Sequence, residues 1–314
     1  MGKEVVSFTI DDKLSKGEPS WVNYIKGTIF QYLDDLPTPL AINICIASNV
    51  PLGSGLSSSA SLEVAVATFL EQLCGLSTPG VTKALRCQKA EHDFADTPCG
   101  VMDQFISAMG KRGQLLLIDC HSNAYTLIPF GNSKMTRPPV MLITNSNVKH
   151  SLADSQYPVR VLQCQAALKA LNAKFPDIKT LRHATYVPHS SSICLIHSFV
   201  HVCCIMHHVS NIIYSCCLTR MENLEAIQDD VDEVIFRRAM HCISENSRTH
   251  IAVDALAAGD FKLVGEQMTR SHASLQEDFE VRFIILFTRL HAITSSELIL
   301  HCCIPIVICI LVLR

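Results

Sequence analysis

PLGSGLSSSASLEVAVATFLEQL, residues 51–73, is a glycine- and serine-rich loop that leads into an amphipathic helix. An apolar run, LAINICIAS at residues 40–48, precedes the loop, and its length and β-branched residues predict a buried strand. After the loop, apolar side chains recur at steps of three and four residues, as on one face of a helix. They are Leu62, Ala65, Val66, Phe69, Leu70 and Leu73.

The loop has the composition of an anion-binding site. The first N–H groups of a helix lack internal partners, and the helix dipole adds partial positive charge there. Glycines allow close backbone approach and serines add donors, so a phosphate chain fits. The spacing matches neither GxxxxGK[ST] nor GxGxxG, and an ordinary serine-capped helix accounts for the same residues. The candidate ligands are Gly53, Ser54, Gly55, Leu56, Ser57, Ser58 and Ser59.

Composition narrows the class of protein. The chain has 314 residues, enough for two domains with a sizeable core. A net charge of -3 does not indicate binding to nucleic acid or to an anionic membrane. The first residues, MGKEVVSFTIDDK, do not have the pattern of a secretion signal. Many of the 15 cysteines are scattered singly, which is typical of a reduced, cytoplasmic protein.

Periodicity predicts the remaining elements. Strands are expected at residues 5–10, 114–120, 124–129 and 140–145, and helices at 19–32, 81–94, 99–110, 159–171 and 222–258. Ser20 is the expected N-cap of the first helix.

Four further residues have a structural interpretation from the pattern alone. Trp21 fits a core aromatic on a helix face, and Glu91 fits a solvated surface acid. Asp103, in the first turn of its helix, fits a partner of the helix dipole. Tyr157, before Pro158, is expected in an extended conformation at the end of a loop, or as a structural tyrosine before a helix.

Several motifs together resemble one family. PLGSGLSSSASLEVA, WVNYIKG, QKAE, CGVMDQFIS and ITNSNVKHSLADSQYPVR are similar to segments of the galactokinases, which are GHMP small-molecule kinases. The resemblance implies an α+β, two-domain GHMP kinase fold, with a ribosomal S5 domain 2-like N-terminal part and a ferredoxin-like C-terminal part. It predicts an ATP-binding domain at residues 1–135 and a second domain at 136–281, interrupted by an insertion at 187–219. An apolar tail without family likeness, 282–314, follows.

The resemblance also implies a reaction and a site. ATP and D-galactose would give ADP and galactose 1-phosphate, with Mg²⁺ held by Ser59 and Glu91 and with Asp103 as the catalytic base. The loop at 53–59 would hold the phosphates and Trp21 would flank the adenine. Gly100, Asp103 and Tyr157 would face the sugar. The expected partners are these small molecules alone, in the cytoplasm, without nucleic acid or membrane.

Three departures from the family pattern limit these expectations. The N-terminal sugar motif and the third glycine-rich motif are not found, so little or no turnover is expected of this chain. The insertion at 187–219 has no Asp, Glu, Lys or Arg and fits metal ligands, a membrane segment or, as favoured here, translated non-coding sequence. The tail is interpreted as a tail anchor or, preferentially, as a read-through terminus.

Two alternative functions stay open at this stage. A non-catalytic protein that binds galactose and ATP to regulate a partner would use the same motifs. An N-acetylgalactosamine kinase is disfavoured by CGVMDQFIS and SLEVA.

Overall fold

The computed structural model describes residues 5–52, 55–131, 140–145, 157–178, 181–183, 217–218, 221–280, 298–303 and 307–313. The chain divides into two compact units, Met1–Gly110 and Lys111–Arg314. The predicted domain boundary at residue 135 therefore falls within the second unit. Most of the predicted insertion, 187–219, lies outside the described residues.

The first unit is helical in its described part. Its helices are α1 (Val22–Phe30), α2 (Ser58–Cys74), α3 (Gly80–Ala95) and α4 (Met102–Met109), with a 3₁₀ turn at Leu33–Asp35. These bounds match the predicted helices, although α1 has Trp21 rather than Ser20 as its N-cap. Apolar side chains from α1, α2 and α3 form the core; they include Ile25, Ile29, Tyr32, Val66, Ala67, Leu70 and Phe94.

One glycine sets the spacing between α1 and α3. A Cβ at Gly27 would lie 2.9 Å from the carbonyl oxygen of Ala90 and 2.9 Å from the Cβ of Phe94. Real side chains do not approach backbone this closely, so only glycine lets the two helices pack at this distance.

The two strands predicted in the first unit are wrong. Residues 5–10 and 40–48 are neither strand nor helix, although their side chains alternate between exposed and half-buried over 5–10 and 40–45. Phe8, Ile10, Leu40 and Ile42 pack on the helical core. The period of two is thus real, but a strand also needs a hydrogen-bonded neighbour, and no such ladder forms among the described residues of this unit.

The buried face of α2 differs from the predicted apolar stripe. Phe69 is 37% exposed and Leu73 is 49% exposed, whereas Val64, Ala67 and Leu70 are buried. Apolar residues occur on two sides of this helix, and packing against α1 and α3 selected one of them. The selected face also buries Glu63 and Glu71, which the apolar pattern could not indicate.

The second unit combines a hairpin, a helical layer and a small sheet. Strands β1 (Gln114–Asp119) and β2 (Ala124–Pro129) form where strands were predicted, and they pair antiparallel with Asp119 opposite Ala124. The helices are α5 (Tyr157–Lys174), α6 (Met221–Glu225), α7 (Glu233–Ala258) and α8 (Phe261–Glu277), with a 3₁₀ turn at Gln228–Asp230. Their core includes Ala167, Leu171, Leu224, Ala239, Ile243 and Phe279.

The apolar tail forms strands that the sequence interpretation did not predict. Strands β6 (Leu298–Cys303) and β7 (Val307–Leu313) pair antiparallel, and β7 also pairs antiparallel with β3 (Val140–Asn145). The sheet order is β3-β7-β6, and a short parallel pair joins β4 (Arg182–His183) to β5 (Cys217–Leu218). No helix in the described ranges is both long and apolar enough to cross a membrane.

Three arginines bind the C-terminal end of α8. Arg237 donates to the carbonyl of Glu277 at 2.5 Å, Arg238 donates to that of Asp278, and Arg160 donates to that of Phe279 at 2.9 Å. The Glu280 carboxylate accepts from Arg237 and Arg238, both at 2.8 Å, and these hydrogen bonds lower the pKa of Glu280 to about 2. Carbonyls that a helix end leaves without partners are thus satisfied by side chains.

Candidate active site

The serine-rich loop enters α2 through two residues with left-handed backbone. Gly55 has φ of 76° and Ser57, the N-cap, has φ of 55°. The helix begins at Ser58, so its first N–H groups lie at the serine cluster, as predicted. Gly53 and Ser54 lie outside the described residues. The predicted phosphate loop is therefore described from Gly55 onward.

The two predicted metal ligands contact each other. Ser59, in the first turn of α2, lies close enough to Glu91, near the end of α3, for a side-chain hydrogen bond to lower the pKa of the Glu91 carboxyl group. Glu91 is only 5% exposed, so the interpretation as a solvated surface acid is wrong. Its Oε2 atom also accepts from Gln104 Nε2 at 2.7 Å and from the Cys99 thiol at 3.3 Å.

A second buried carboxyl group, Glu63, lies beside this pair. Glu63 is fully buried on α2, and its Oε2 accepts from Gln104 Nε2 at 3.1 Å. The sequence interpretation missed both Glu63 and Gln104. One signal was present: Glu63 lies four residues after Ser59, so the two residues share a helix face.

The electrostatics of this cluster disfavour negative charge. Burial raises the pKa of Glu63 well above its usual value, and the neighbouring charge of Glu91 raises it further. Burial also raises the pKa of Glu91, which the hydrogen bonds from Cys99 and Ser59 counteract. Burial raises the pKa of Tyr24 to about 12, and the nearby charge of Glu91 contributes to this shift. The hydrogen-bond donors of the cluster therefore do not fully stabilise the charged forms of its carboxyl groups.

Asp103 belongs to the same cluster. It lies in the first turn of α4, and its charge raises the pKa of both Glu63 and Glu91. The loop before α4 is fixed by His92, whose Nε2 lies 2.9 Å from the carbonyl oxygen and 3.1 Å from the amide nitrogen of Cys99. The next residue, Gly100, is buried. Helices α2, α3 and α4 thus bring Ser59, Glu91 and Asp103 together.

Two other predicted residues lie elsewhere. Trp21 is the N-cap of α1 and is 39% exposed, which does not fit a fully buried core aromatic. Tyr157 is the first residue of α5, in the second unit, and its side chain is outside the described part of the chain. The extended geometry expected at Tyr157 is wrong, because Pro158 favours the first turn of a helix.

The donor set fits a hard cation. Magnesium takes few protein oxygens, with phosphates and water completing its six ligands, and one carboxylate with one hydroxyl meets that need. Among the described residues, the Oε1 atom of the neighbouring Glu63 lacks a hydrogen-bond partner. Within the described ranges, no group of three or more His, Cys, Asp or Glu residues is arranged to hold a metal alone.

Comparison with known proteins defines the class. Residues 23–111 match the family described as GHMP kinases N terminal domain. The structure resembles the crystal structure of Lactococcus lactis galactokinase complexed with galactose, with a TM-score of 0.73 and 27% identity, over 96% of this chain and 69% of that one. The chain therefore has the α+β GHMP kinase fold, which confirms the predicted fold class.

Sequence relatives identify the group within that class. The chain is 42% identical to human galactokinase over 273 residues, which are 87% of this chain and 58% of the relative. It is 41% identical to galactokinase of Bos taurus, over 85% of this chain and 57% of the relative. The chain is thus a relative of the galactokinases, as the motifs predicted, and it spans less than two thirds of the length of these relatives.

Proposed function

We propose that this chain carries the phosphoryl-transfer site of a galactokinase-like enzyme, which converts ATP and D-galactose to ADP and galactose 1-phosphate. The contact between Ser59 and Glu91, with Asp103 in the same cluster, is the observation that carries the proposal. A hydroxyl and a carboxylate beside an exposed helix N-terminus suit a metal-bound phosphate chain. The galactokinase relatives support galactose as the acceptor.

In this proposal the N-terminal end of α2 binds the nucleotide. The loop at 53–59 offers backbone N–H groups to the phosphates, and Trp21, partly exposed at the start of α1, flanks the adenine. Ser59 and Glu91 would hold Mg²⁺, which when bound offsets the phosphate charge. Because Glu91 is buried, its carboxylate oxygens keep a fixed direction.

The acceptor is activated by a carboxylate. Asp103 accepts the proton of the attacking sugar hydroxyl at a carboxylate oxygen, while Gly100 contacts the sugar. Its position in the first turn of α4, next to the buried Gln104, restrains Asp103 relative to the metal ligands. Positioning of this kind supplies most of the catalysis in phosphoryl transfer. The proposed partners are small molecules, and the proposed location is the cytoplasm.

The 314-residue chain itself provides the test. Calorimetric titration with ATP is measured with and without Mg²⁺, and transfer of labelled γ-phosphate is followed with galactose or N-acetylgalactosamine. We expect Mg²⁺-dependent ATP binding, lost in Glu91→Gln. Transfer should be slow, since little turnover is expected of this chain, and it should favour galactose over the other sugar. Glu266, an exposed glutamate on α8, provides the matched control, since Glu266→Gln should bind as the wild type does.

Each contrary result removes a different part of the proposal. Binding of ATP that is unaffected by Mg²⁺ and by Glu91→Gln rejects the metal site. Binding of ATP and galactose without transfer rejects the transferase function. Preferential transfer to N-acetylgalactosamine rejects the assigned acceptor.

A further inference from the structure

The amide of Gln104 links two buried carboxyl groups. Its Nε2 atom lies 2.7 Å from Glu91 Oε2 and 3.1 Å from Glu63 Oε2. A primary amide has two N–H donors, so one is available for each carboxyl group and the plane of the amide is fixed. Gln104 and Glu63 are both fully buried.

We propose that Glu63 is a positioning residue for the metal site, which acts through Gln104 to direct the Glu91 carboxylate toward Ser59. This inference rests on the proposed function, because it assigns a role toward the metal-bound nucleotide. Glu63 does not touch the substrate or the metal in this proposal. Glu63 accepts a hydrogen bond from the Gln104 amide, and the same amide donates to Glu91, the proposed metal ligand.

The lack of local compensation at Glu63 supports this role. Within the described part of the chain, Glu63 forms no ion pair, and its Oε1 atom has no hydrogen-bond partner. A fully buried carboxyl group in this state costs stability, so packing alone gives no reason for an acid at this position. Outer partners of metal ligands commonly supply such orienting hydrogen bonds.

The same contact also involves the proposed base. Gln104 follows Asp103 in the first turn of α4, so its amide connects that turn to α2 through Glu63 and to α3 through Glu91. Loss of the Glu63 acceptor would free Gln104 to rotate. The direction of Glu91 and the start of α4 would then be less well defined.

Binding of ATP with Mn²⁺ as the probe metal tests the inference without an activity assay. Free Mn²⁺ is followed by electron paramagnetic resonance during titration of the chain with ATP present. We expect Glu63→Met to weaken Mn²⁺ binding by roughly 10-fold or more. Glu63→Gln, which keeps an acceptor oxygen, should restore most of the affinity. ATP binding without metal should be unchanged in both variants.

Glu71 provides the matched control. It is a second buried glutamate on α2, but its Oε1 accepts from the Tyr32 hydroxyl at 2.7 Å and its Oε2 pairs with Lys83 at 2.7 Å. Glu71→Met should lower the thermal unfolding midpoint and leave Mn²⁺ affinity within about 2-fold of wild type. Glu63→Met should weaken Mn²⁺ binding without lowering the thermal unfolding midpoint.

A double-mutant cycle tests the route through Gln104. If Glu63 acts only through this amide, Glu63→Met should add little to Gln104→Met, which also removes the donor to Glu91. Independent, multiplied losses in the double variant would overturn the inference, as would Glu63→Met with wild-type Mn²⁺ affinity. Should Glu63→Met not fold, Gln104→Met alone must show the loss of affinity. A wild-type chain that binds no Mn²⁺ with ATP would instead reject the proposed function.

Discussion

The two ends of α2 each bury a glutamate, and the two glutamates have different surroundings. Glu71, near the C-terminal end, has a tyrosine hydroxyl and a lysine as partners. Glu63, two turns earlier, accepts from the shared amide of Gln104 and lies near the carboxyl groups of Glu91 and Asp103. Among the described residues, α2 thus buries one glutamate that pairs with a cation and one that does not.

The second unit contains a further example of the neutralised kind. Arg238 is fully buried, yet it donates to Gln163, to the carbonyl of Asp278 and to Glu280. A buried charge with a full set of partners has a structural role, because the chain itself offsets the desolvation cost. Glu63 lacks such a set of partners among the described residues, and burial raises its pKa.

The largest effect is expected at the proposed base. Asp103→Asn keeps the size of the side chain but removes the proton acceptor, so γ-phosphate transfer to galactose should fall about 10²- to 10⁴-fold. Binding of Mg²⁺ and ATP and the thermal midpoint should change little. The exposed Asp96 serves as the control, since Asp96→Asn should leave transfer unchanged. Equal rates for Asp103→Asn and wild type would remove Asp103 from the proposed mechanism.

Removal of a neutralised charge should affect stability alone. Arg238→Met leaves the Asp278 carbonyl and part of Glu280 without donors, so the free energy of unfolding should fall by about 3 kcal/mol. Urea denaturation measures the loss, with exposed Arg270→Met as the control. A variant as stable as wild type would contradict the structural role of this arginine.

The neutralised end of α2 should respond in the same way, but less strongly. Tyr32→Phe removes the hydroxyl that donates to Glu71, at a cost of about 1.5–3 kcal/mol in unfolding free energy. Mn²⁺ affinity in the presence of ATP should stay at the wild-type value. Tyr125→Phe, at a half-exposed position, is the matched control for urea denaturation. Weaker metal binding in Tyr32→Phe would show that the two ends of α2 are coupled.

The last effect appears only on acidification and concerns His241, a buried base in the second unit. Its Nδ1–H donates to the Ser274 hydroxyl at 2.9 Å, because that hydroxyl donates to Asp278 at 2.6 Å. Burial lowers the pKa of His241 to about 4. Because this value lies below the unfolded pKa of about 6.5, stability is complete above pH 6.5 and is lost as the pH falls toward 4.

The slope of stability with pH measures this contribution. Between pH 6.5 and pH 4, His241 should remove up to about 1.4 kcal/mol of unfolding free energy for each pH unit. The slope should flatten in His241→Gln and persist in His121→Gln, at an exposed position. Identical slopes in wild type and His241→Gln would show that this imidazole does not remain neutral in the folded chain.

Much of the fold was predictable because its signals are local. The helices at Gly80–Ala95 and Met102–Met109 and the hairpin strands Gln114–Asp119 and Ala124–Pro129 follow from periodicity. The strands expected at 5–10 and 40–48 did not form, since a strand depends on a neighbour that local sequence does not contain. For the same reason, the tail strands were not predicted: β7 pairs with β3, and β6 pairs with β7.

The sequence by itself determined the serine-rich loop, the helix that follows it and the candidates Ser59, Glu91 and Asp103, because residue type and spacing specify these features along the chain. Only the tertiary structure decided which face of α2 is buried, since apolar residues lie on two sides of this helix. It alone placed Glu63 against the amide of Gln104, 41 residues away. A glutamate is usually solvated, so only the packing of three helices could make this one a buried acid beside two other carboxyl groups.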